Sequence, residues 1–138
     1  MFNVLSAINW LSVLAAFVVY FIVGSLWYLL LFPKSYRVSL GRDVNEPQSP
    51  DPLFIVGPAV CALIVTVTSA VLFYALNVTS YSDAFQFTLI VGVGYLFTNT
   101  VNIAINPNIP RPFLYGLITG SYHLVGLMLV NMILVVMR

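Results

Sequence analysis

Four stretches of the chain are hydrophobic at almost every position and contain no charged residue. They cover about 8–32, 54–76, 84–105 and 113–137. A transmembrane helix needs about 20 consecutive apolar residues, and each stretch is long enough. Runs of β-branched residues, such as Ile64–Thr68, would favour strands in water, but within lipid only a helix satisfies its own backbone amides. The pattern predicts an all-α polytopic membrane protein, in which residues 1–138 form one domain, an antiparallel bundle of four transmembrane helices.

The polar segments between these stretches differ in length. Residues 33–53 form the one long polar loop, which is expected to begin at the membrane interface and to continue as an extended linker. Pro33 marks the end of the first helix. Because the links 77–83 and 106–112 are short, the second and third helices, and the third and fourth, are expected to be antiparallel neighbours.

The composition places the chain outside the soluble classes of protein. Hydrophobic residues make up 61% of the sequence and charged residues 7%, whereas a soluble domain carries about a quarter charged residues. This excludes a soluble enzyme, a disordered chain and, with a net charge of only +1, a nucleic-acid binder. Because Cys61 and His123 are the only residues of their types, the sequence predicts no disulfide, no Cys/His metal centre and no cofactor.

The distribution of cations predicts the orientation in the membrane. The loops 33–53 and 106–112 together carry four cationic side chains, whereas the other side carries Arg138 and the terminal amine. The positive-inside rule therefore places both loops in the cytoplasm and both termini outside. The predicted interface anchors are Lys34, Arg37 and Arg111. The first hydrophobic stretch is expected to be retained, and the Asn77 glycosylation sequon falls on the outer side.

The hydrophobic stretches hold no Asp, Glu, Lys or Arg, which narrows the range of functions. Ionisable residues within a membrane usually mark ion pathways and proton relays. Their absence argues against a carboxylate-based antiporter, a voltage sensor and an intramembrane aspartyl protease. In the third stretch, polar or small residues recur at steps of four and three, on a stripe expected to face other helices. These residues are Thr88, Gly92, Tyr95, Asn99, Asn102 and Asn106.

The rise of about 1.5 Å per helical residue puts several polar and aromatic residues at a similar depth. The expected polar intramembrane cluster consists of Gly24, Trp27, Tyr28, Asn99, Asn102 and His123. A structural alternative is that the polar members of this cluster only hold helices together through interhelical hydrogen bonds. Gly116 and Gly120 form a Gly-x-x-x-Gly pair, which predicts close helix packing.

Four local patterns occur together in an order that resembles a known family. They are Asn9-Trp10-Leu11, Gly24-Ser25-Leu26-Trp27-Tyr28, the segment from Asn102 to Arg111-Pro112, and Gly120-Ser121-Tyr122-His123-Leu124-Val125. Over nearly the whole chain they resemble domain of unknown function 1761, a family of small bacterial and fungal membrane proteins. The resemblance implies a four-helix integral membrane protein and supplies no activity. The motif residues that it marks are Trp10, Gly24, Trp27, Tyr28, Asn102, Arg111, Gly120, Tyr122 and His123. Tyr36 stands where the family usually has a tryptophan.

Three functional hypotheses follow from these observations. The leading one is a small membrane protein that binds or transports a small or lipid-like solute through the polar cluster. The second is an interaction or scaffold subunit of a membrane complex. The third is a lipid-modifying enzyme with His123 as general base, and it is the weakest because no membrane carboxylate is available to orient that base. The expected partners are the lipid bilayer and a second copy in a homodimer, the commonest assembly.

Overall fold

The computed structural model describes residues 3–47, 49 and 51–138. Over these residues the fold is all-helical, without a strand, as the sequence predicts. The helices in this described part are α1 (Trp10–Leu31), α2 (Pro33–Ser39), α3 (Leu53–Ala75), α4 (Tyr81–Ala104) and α5 (Pro112–Val136). Apart from the short α2, each has 22 to 25 residues and the apolar composition of a membrane span. The predicted all-α architecture with four spans is confirmed.

The long helices alternate in direction, so the bundle has two distinct ends. Residues near the start of α1 lie beside the ends of α3 and α5, which shows that α1 is antiparallel to both. The loop end holds α2 and the connection 105–111. The terminal end holds Asn9, the connection 76–80 and Arg138.

The last helix, α5, is the central helix of the bundle. Half of its most apolar stretch is buried, against 17% to 22% in the other three spans. Gly120 lies against the ring of Phe97 from α4, and a Cβ at this position would approach that ring to 2.5 Å. Gly116, one turn earlier, lies in the same way against Val101. Small residues here allow the backbones of α4 and α5 to approach closely.

The two halves of α3 are packed differently. In the second half, Ala70 and Phe73 are buried in the core that α3 shares with α5. In the first half, residues 53–56 are exposed, and a Cβ at Gly57 would meet only Leu53 of the same helix. The first turn of α3 therefore lies at the surface of the bundle, whereas Ala62, further along the same half, is buried in the core with Tyr20 and Tyr122.

The middle of α4 is a π-helical stretch, Leu89–Phe97. Its i→i+5 hydrogen bonds put more residues in each turn, so the side chains beyond it are rotated relative to those before it. Thr88 and Gly92 are buried, whereas Tyr95 is exposed, and the next two asparagines are exposed as well. The expectation that one continuous stripe of this helix faces other helices is therefore wrong for its second half in the single chain.

Hydrogen bonds of Asn9 join three helices at the terminal end. Its side chain caps α1 by accepting from the backbone N–H groups of Leu11 and Ser12. Its Nδ2 donates to the carbonyl of Met137 over 2.6 Å. Its backbone N–H donates to the hydroxyl of Tyr74, at the end of α3, over 3.0 Å. One asparagine thus links the start of α1 to the ends of α3 and α5.

Replacing Asn9 with alanine is expected to lower the free energy of unfolding by about 1–2 kcal/mol, because the variant loses the helix cap and the donor to Met137. Thermal unfolding in detergent, followed by circular dichroism, measures the change. Asn3→Ala is the matched control, since Asn3 is exposed and lies before α1. Equal destabilisation of the two variants would contradict this role of Asn9.

Arg138 closes the same end of the bundle. Its guanidinium donates to the carbonyl of Val78 and, over 3.0 Å, to Oδ1 of Asn77. It also lies 4.7 Å from the ring centroid of Tyr74, within cation–π distance. The side chain of Asn77, the asparagine of the glycosylation sequon, is therefore hydrogen-bonded to Arg138.

The loop end is organised by α2, which occupies the part of the long loop that is expected to lie at the interface. The backbone N–H of Arg111 donates to the carbonyl of Ser39 over 3.3 Å and joins the first and third loops. Of the three predicted anchors, Arg37 donates to the carbonyl of Val44, whereas Lys34 and Arg111 are exposed. The side of the membrane on which this end lies stays a prediction.

Candidate functional site between the first and last helices

A tyrosine and a histidine meet at mid-depth of the bundle. Tyr20 lies ten residues from the start of α1 and eleven from its end, and His123 lies eleven and thirteen residues from the two ends of α5. The Tyr20 hydroxyl and Nδ1 of His123 share a hydrogen bond of 2.9 Å. Gly126 makes this approach feasible, because a Cβ there would overlap the Tyr20 ring. Tyr20 is fully buried, whereas His123 is half-buried.

Tyr122 is the aromatic centre of the site. Its ring centroid lies 5.4 Å from that of Tyr20, 5.3 Å from that of Tyr28 and 6.5 Å from that of Trp27. These distances are typical of favourable edge-to-face or tilted aromatic pairs. A Cβ at Gly24 would lie 3.0 Å from the Tyr122 hydroxyl, so the absence of a side chain at this glycine allows the Tyr122 ring to pack against α1.

Trp27 holds the loop end of α1 against α5. Its indole Nε1 donates to the backbone carbonyl of Ile118 over 3.0 Å. This carbonyl lies within a helix, where its second lone pair is free to accept from a side chain. The Trp27 ring also packs against Phe32, with 4.8 Å between centroids. Both ring packing and a hydrogen bond therefore fix Trp27 at the border of the site.

Aromatic rings continue from this site to the loop end. Tyr28 packs against Tyr36 of α2 at 4.9 Å, and Tyr36 packs against Tyr115 of α5 at 5.7 Å. Burial raises the pKa of Tyr36 to about 12, so its hydroxyl stays protonated at neutral pH. We call the aromatic column the rings of Tyr20, Tyr122, Tyr28, Tyr36 and Tyr115. The aromatic column extends from the middle of the bundle to its loop end.

The structure brings together four residues of the expected polar cluster and leaves two apart. Gly24, Trp27, Tyr28 and His123 all adjoin Tyr122. Asn99 and Asn102 instead lie on an exposed face of α4. The described residues include no hydrogen bond from either asparagine to the imidazole. The π-helical stretch that precedes them turns their side chains away from the interior.

Two buried side chains outside the expected cluster form hydrogen bonds between helices. The first is Tyr20, the hydrogen-bond partner of His123, whose three neighbours on either side in the chain are apolar. The second is Asn131, whose Nδ2 donates to Oγ1 of Thr88 over 2.7 Å. Asn131 is fully buried, and its Oδ1 has no hydrogen-bond partner among the described residues. Its being the one amide side chain of the last span was the sequence signal for it.

The chemistry of this site is that of uncharged hydrogen bonding. The partner of His123 Nδ1 is a tyrosine hydroxyl, whereas the enzyme hypothesis requires a carboxylate to orient a histidine base. The Thr119 hydroxyl is buried without a hydrogen-bond partner in the described part of the chain. The described residues also contain no group of three His, Cys, Asp or Glu side chains that could hold a metal ion. The arrangement is suited to recognising a neutral polar group within an aromatic surface.

The fold and its composition define a multi-pass membrane protein with a histidine–tyrosine pair at its centre. The family model described as protein of unknown function (DUF1761) matches residues 11–135, so the chain belongs to this family and the resemblance seen in the sequence is confirmed. No curated protein and no solved structure matches the chain.

Proposed function

We propose that this membrane protein binds an uncharged lipid-like molecule on the surface that α5 and the exposed first turn of α3 present to the lipid, with a hydroxyl or carbonyl of the ligand hydrogen-bonded to His123. The observation that carries the proposal is the imidazole at mid-depth. Its Nδ1 is bonded to Tyr20, whereas its Nε2 has no partner among the described residues. An unpaired polar group in hydrocarbon is costly, so a ligand that pairs with Nε2 gains affinity.

Burial changes along the face of α5 that carries His123. Leu127, Val130 and Leu134 share this face and are at most 1% exposed. Val130 and Leu134 belong to the core that the second half of α3 completes. His123, which precedes these three residues on the same face, is only half-buried. The polar group of a ligand would therefore meet the accessible part of the imidazole.

The aromatic column supports the choice of ligand class. The rings of Tyr122, Tyr28 and Trp27 offer flat, apolar surfaces beside the imidazole. Apart from Asp83 at the terminal end of α4, the four spans contain no Asp, Glu, Lys or Arg, so a charged ligand group beside His123 would be desolvated without a counter-ion. An uncharged ligand avoids this penalty and can enter from the surrounding lipid.

Fluorescence of Trp27 provides the test. The chain has two tryptophans, and Trp10→Phe leaves Trp27, which packs beside Tyr122, as the only one. A benzoquinone with a decyl chain, an uncharged carbonyl probe that quenches indole, is titrated into the protein in nanodiscs. We expect saturable quenching, and about tenfold weaker binding after His123→Ala, since one hydrogen bond is lost.

Two controls separate recognition from partitioning into lipid. Val125→Ala, on the exposed side of α5, should leave the affinity unchanged. A bromoalkane of similar length, which lacks a polar group, should bind equally to the parent and the His123→Ala protein. Thermal unfolding of each variant verifies folding. Quenching that does not saturate, or that His123→Ala leaves unaltered in a folded protein, would refute the proposal.

A further inference from the structure

An unpartnered polar face runs along the second half of α4. Tyr95 is 71% exposed, and Asn99 and Asn102 are exposed on the same side. They border an open groove of about 490 Å³. Its lining residues are Gly94, Tyr95, Leu96, Thr98, Asn99 and Asn102. All of them belong to α4, so no other helix in the described part of the chain covers this face.

The deepest residue of this face, Tyr95, lies too deep to be covered by water or headgroups alone. It stands nine residues from the loop end of α4 and fourteen from its other end. At about 1.5 Å per residue, its Cα lies roughly 13 Å inside the span. Helical side chains lean towards the N-terminus, which carries the Tyr95 hydroxyl deeper still. Asn99 and Asn102, five and two residues from the loop end, lie nearer the membrane surface. A polar side chain that faces acyl chains lacks hydrogen-bond partners, and another polypeptide is the usual source of them.

The face also permits close approach of a second helix. A Cβ at Gly94 would meet nothing within 4 Å, so the backbone is open on this side. The hydroxyl of Thr98, one turn on, donates to the carbonyl of Val93 over 2.7 Å and needs no outside partner. Small residues four apart, with hydrogen-bonding side chains beside them, are typical of helix–helix interfaces in membranes.

We infer that this face of α4 is the interface of a parallel homodimer in which Asn99 and Asn102 pair with the same residues of a second copy. An asparagine amide both donates and accepts, so an identical face across a two-fold axis complements it. A parallel arrangement brings the asparagines together, because they all lie towards one end of the helix. An antiparallel copy would instead set Asn99 and Asn102 near Gln86 and Asp83 at the other end of α4, so the positions that cross-link distinguish the two arrangements.

Cysteine cross-linking tests the geometry. Cys61 is the only cysteine, so Cys61→Ser gives a cysteine-free background. In that background Asn99→Cys in liposomes is expected to form a disulfide-linked dimer on mild oxidation. Ile22→Cys, on the exposed side of α1, is the control and should stay monomeric. Equal cross-linking of the two variants, or a dimer only when Asn99→Cys is mixed with Phe85→Cys, would overturn the inference.

Energy transfer between labelled copies diluted in liposomes tests the contribution of the amides. We expect the double variant Asn99→Leu/Asn102→Leu to associate about tenfold more weakly than the parent protein. Asn108→Leu, which replaces an exposed loop asparagine, should associate like the parent. A parent protein that is monomeric at every protein-to-lipid ratio, or unaltered association of the double variant, would refute the interface. Quenching of Trp27 in the double variant should not change, so this test and that of ligand binding can fail separately.

Discussion

Replacing Tyr122 with alanine is expected to lower the free energy of unfolding in detergent or bicelles by about 2–4 kcal/mol. In a membrane the transfer of a side chain from lipid to the interior contributes little, because acyl chains are as apolar as leucine. The cavity contributes more, at about 24 cal/mol per Å³ over the roughly 100 Å³ that the variant loses. The lost contacts with Tyr20 and Tyr28 add to this cost.

Two further variants show whether the loss of stability comes from removing this buried aromatic ring or from replacing any tyrosine. Tyr122→Phe keeps the ring and is expected to lose less than about 1 kcal/mol. Tyr81→Ala removes an exposed tyrosine at the start of α4 and should change stability by no more than about 0.5 kcal/mol. Equilibrium unfolding of the three variants gives the comparison. A Tyr122→Ala protein as stable as Tyr81→Ala would show that the aromatic column does not hold α1 to α5.

The second large effect is expected for Gly126→Ala, a loss of about 1–3 kcal/mol. Alanine is the better helix former by about 1 kcal/mol, so propensity alone predicts a gain. Packing turns this expected gain in stability into a loss, because a Cβ at position 126 would overlap the Tyr20 ring. Tyr20 is fully buried and hydrogen-bonded to His123, so it has little room to move aside.

Gly57→Ala is the matched control for this prediction. Its Cβ would meet only Leu53 of its own helix, so the substitution should be neutral or stabilising. Thermal unfolding of the two glycine variants under the same conditions is the measurement. If Gly57→Ala destabilised the protein as much as Gly126→Ala, the first turns of α3 would be packed against another element, and the open surface proposed for the ligand would be refuted.

The ends of the helices could be predicted within a few residues because they depend on local chemistry. A helix that crosses a membrane stops where charged residues and prolines begin, and Pro33 and Pro112 both stand at the first position of a helix. The expected ends 32, 76, 105 and 137 are each one residue beyond the observed ones. Prolines and charged residues end a helix without any help from tertiary contacts, so the sequence was sufficient to predict the helix ends.

The candidate site was only partly predictable. Depth along a straight helix was enough to group Gly24, Trp27, Tyr28 and His123. The expectation that Asn99 and Asn102 face inward failed, because the stripe argument assumed an α-helical period through a π-helical stretch. The pairing of Tyr20 with His123 depends on the space that Gly126 leaves on another helix, which a pattern within one span does not contain.

The sequence by itself determined that the chain is a membrane protein of four helices, because a bilayer imposes length, hydrophobicity and internal hydrogen bonding on every span separately. It also determined the family, since the motif residues extend over nearly the whole chain. Only the tertiary structure decided which side chains meet: the rotation within α4 turned two amides outward, and the packing of α1 on Gly126 brought Tyr20 to His123. These outcomes depend on how the helices pack, and in lipid helix packing depends on shape and hydrogen bonds more than on the hydrophobic pattern.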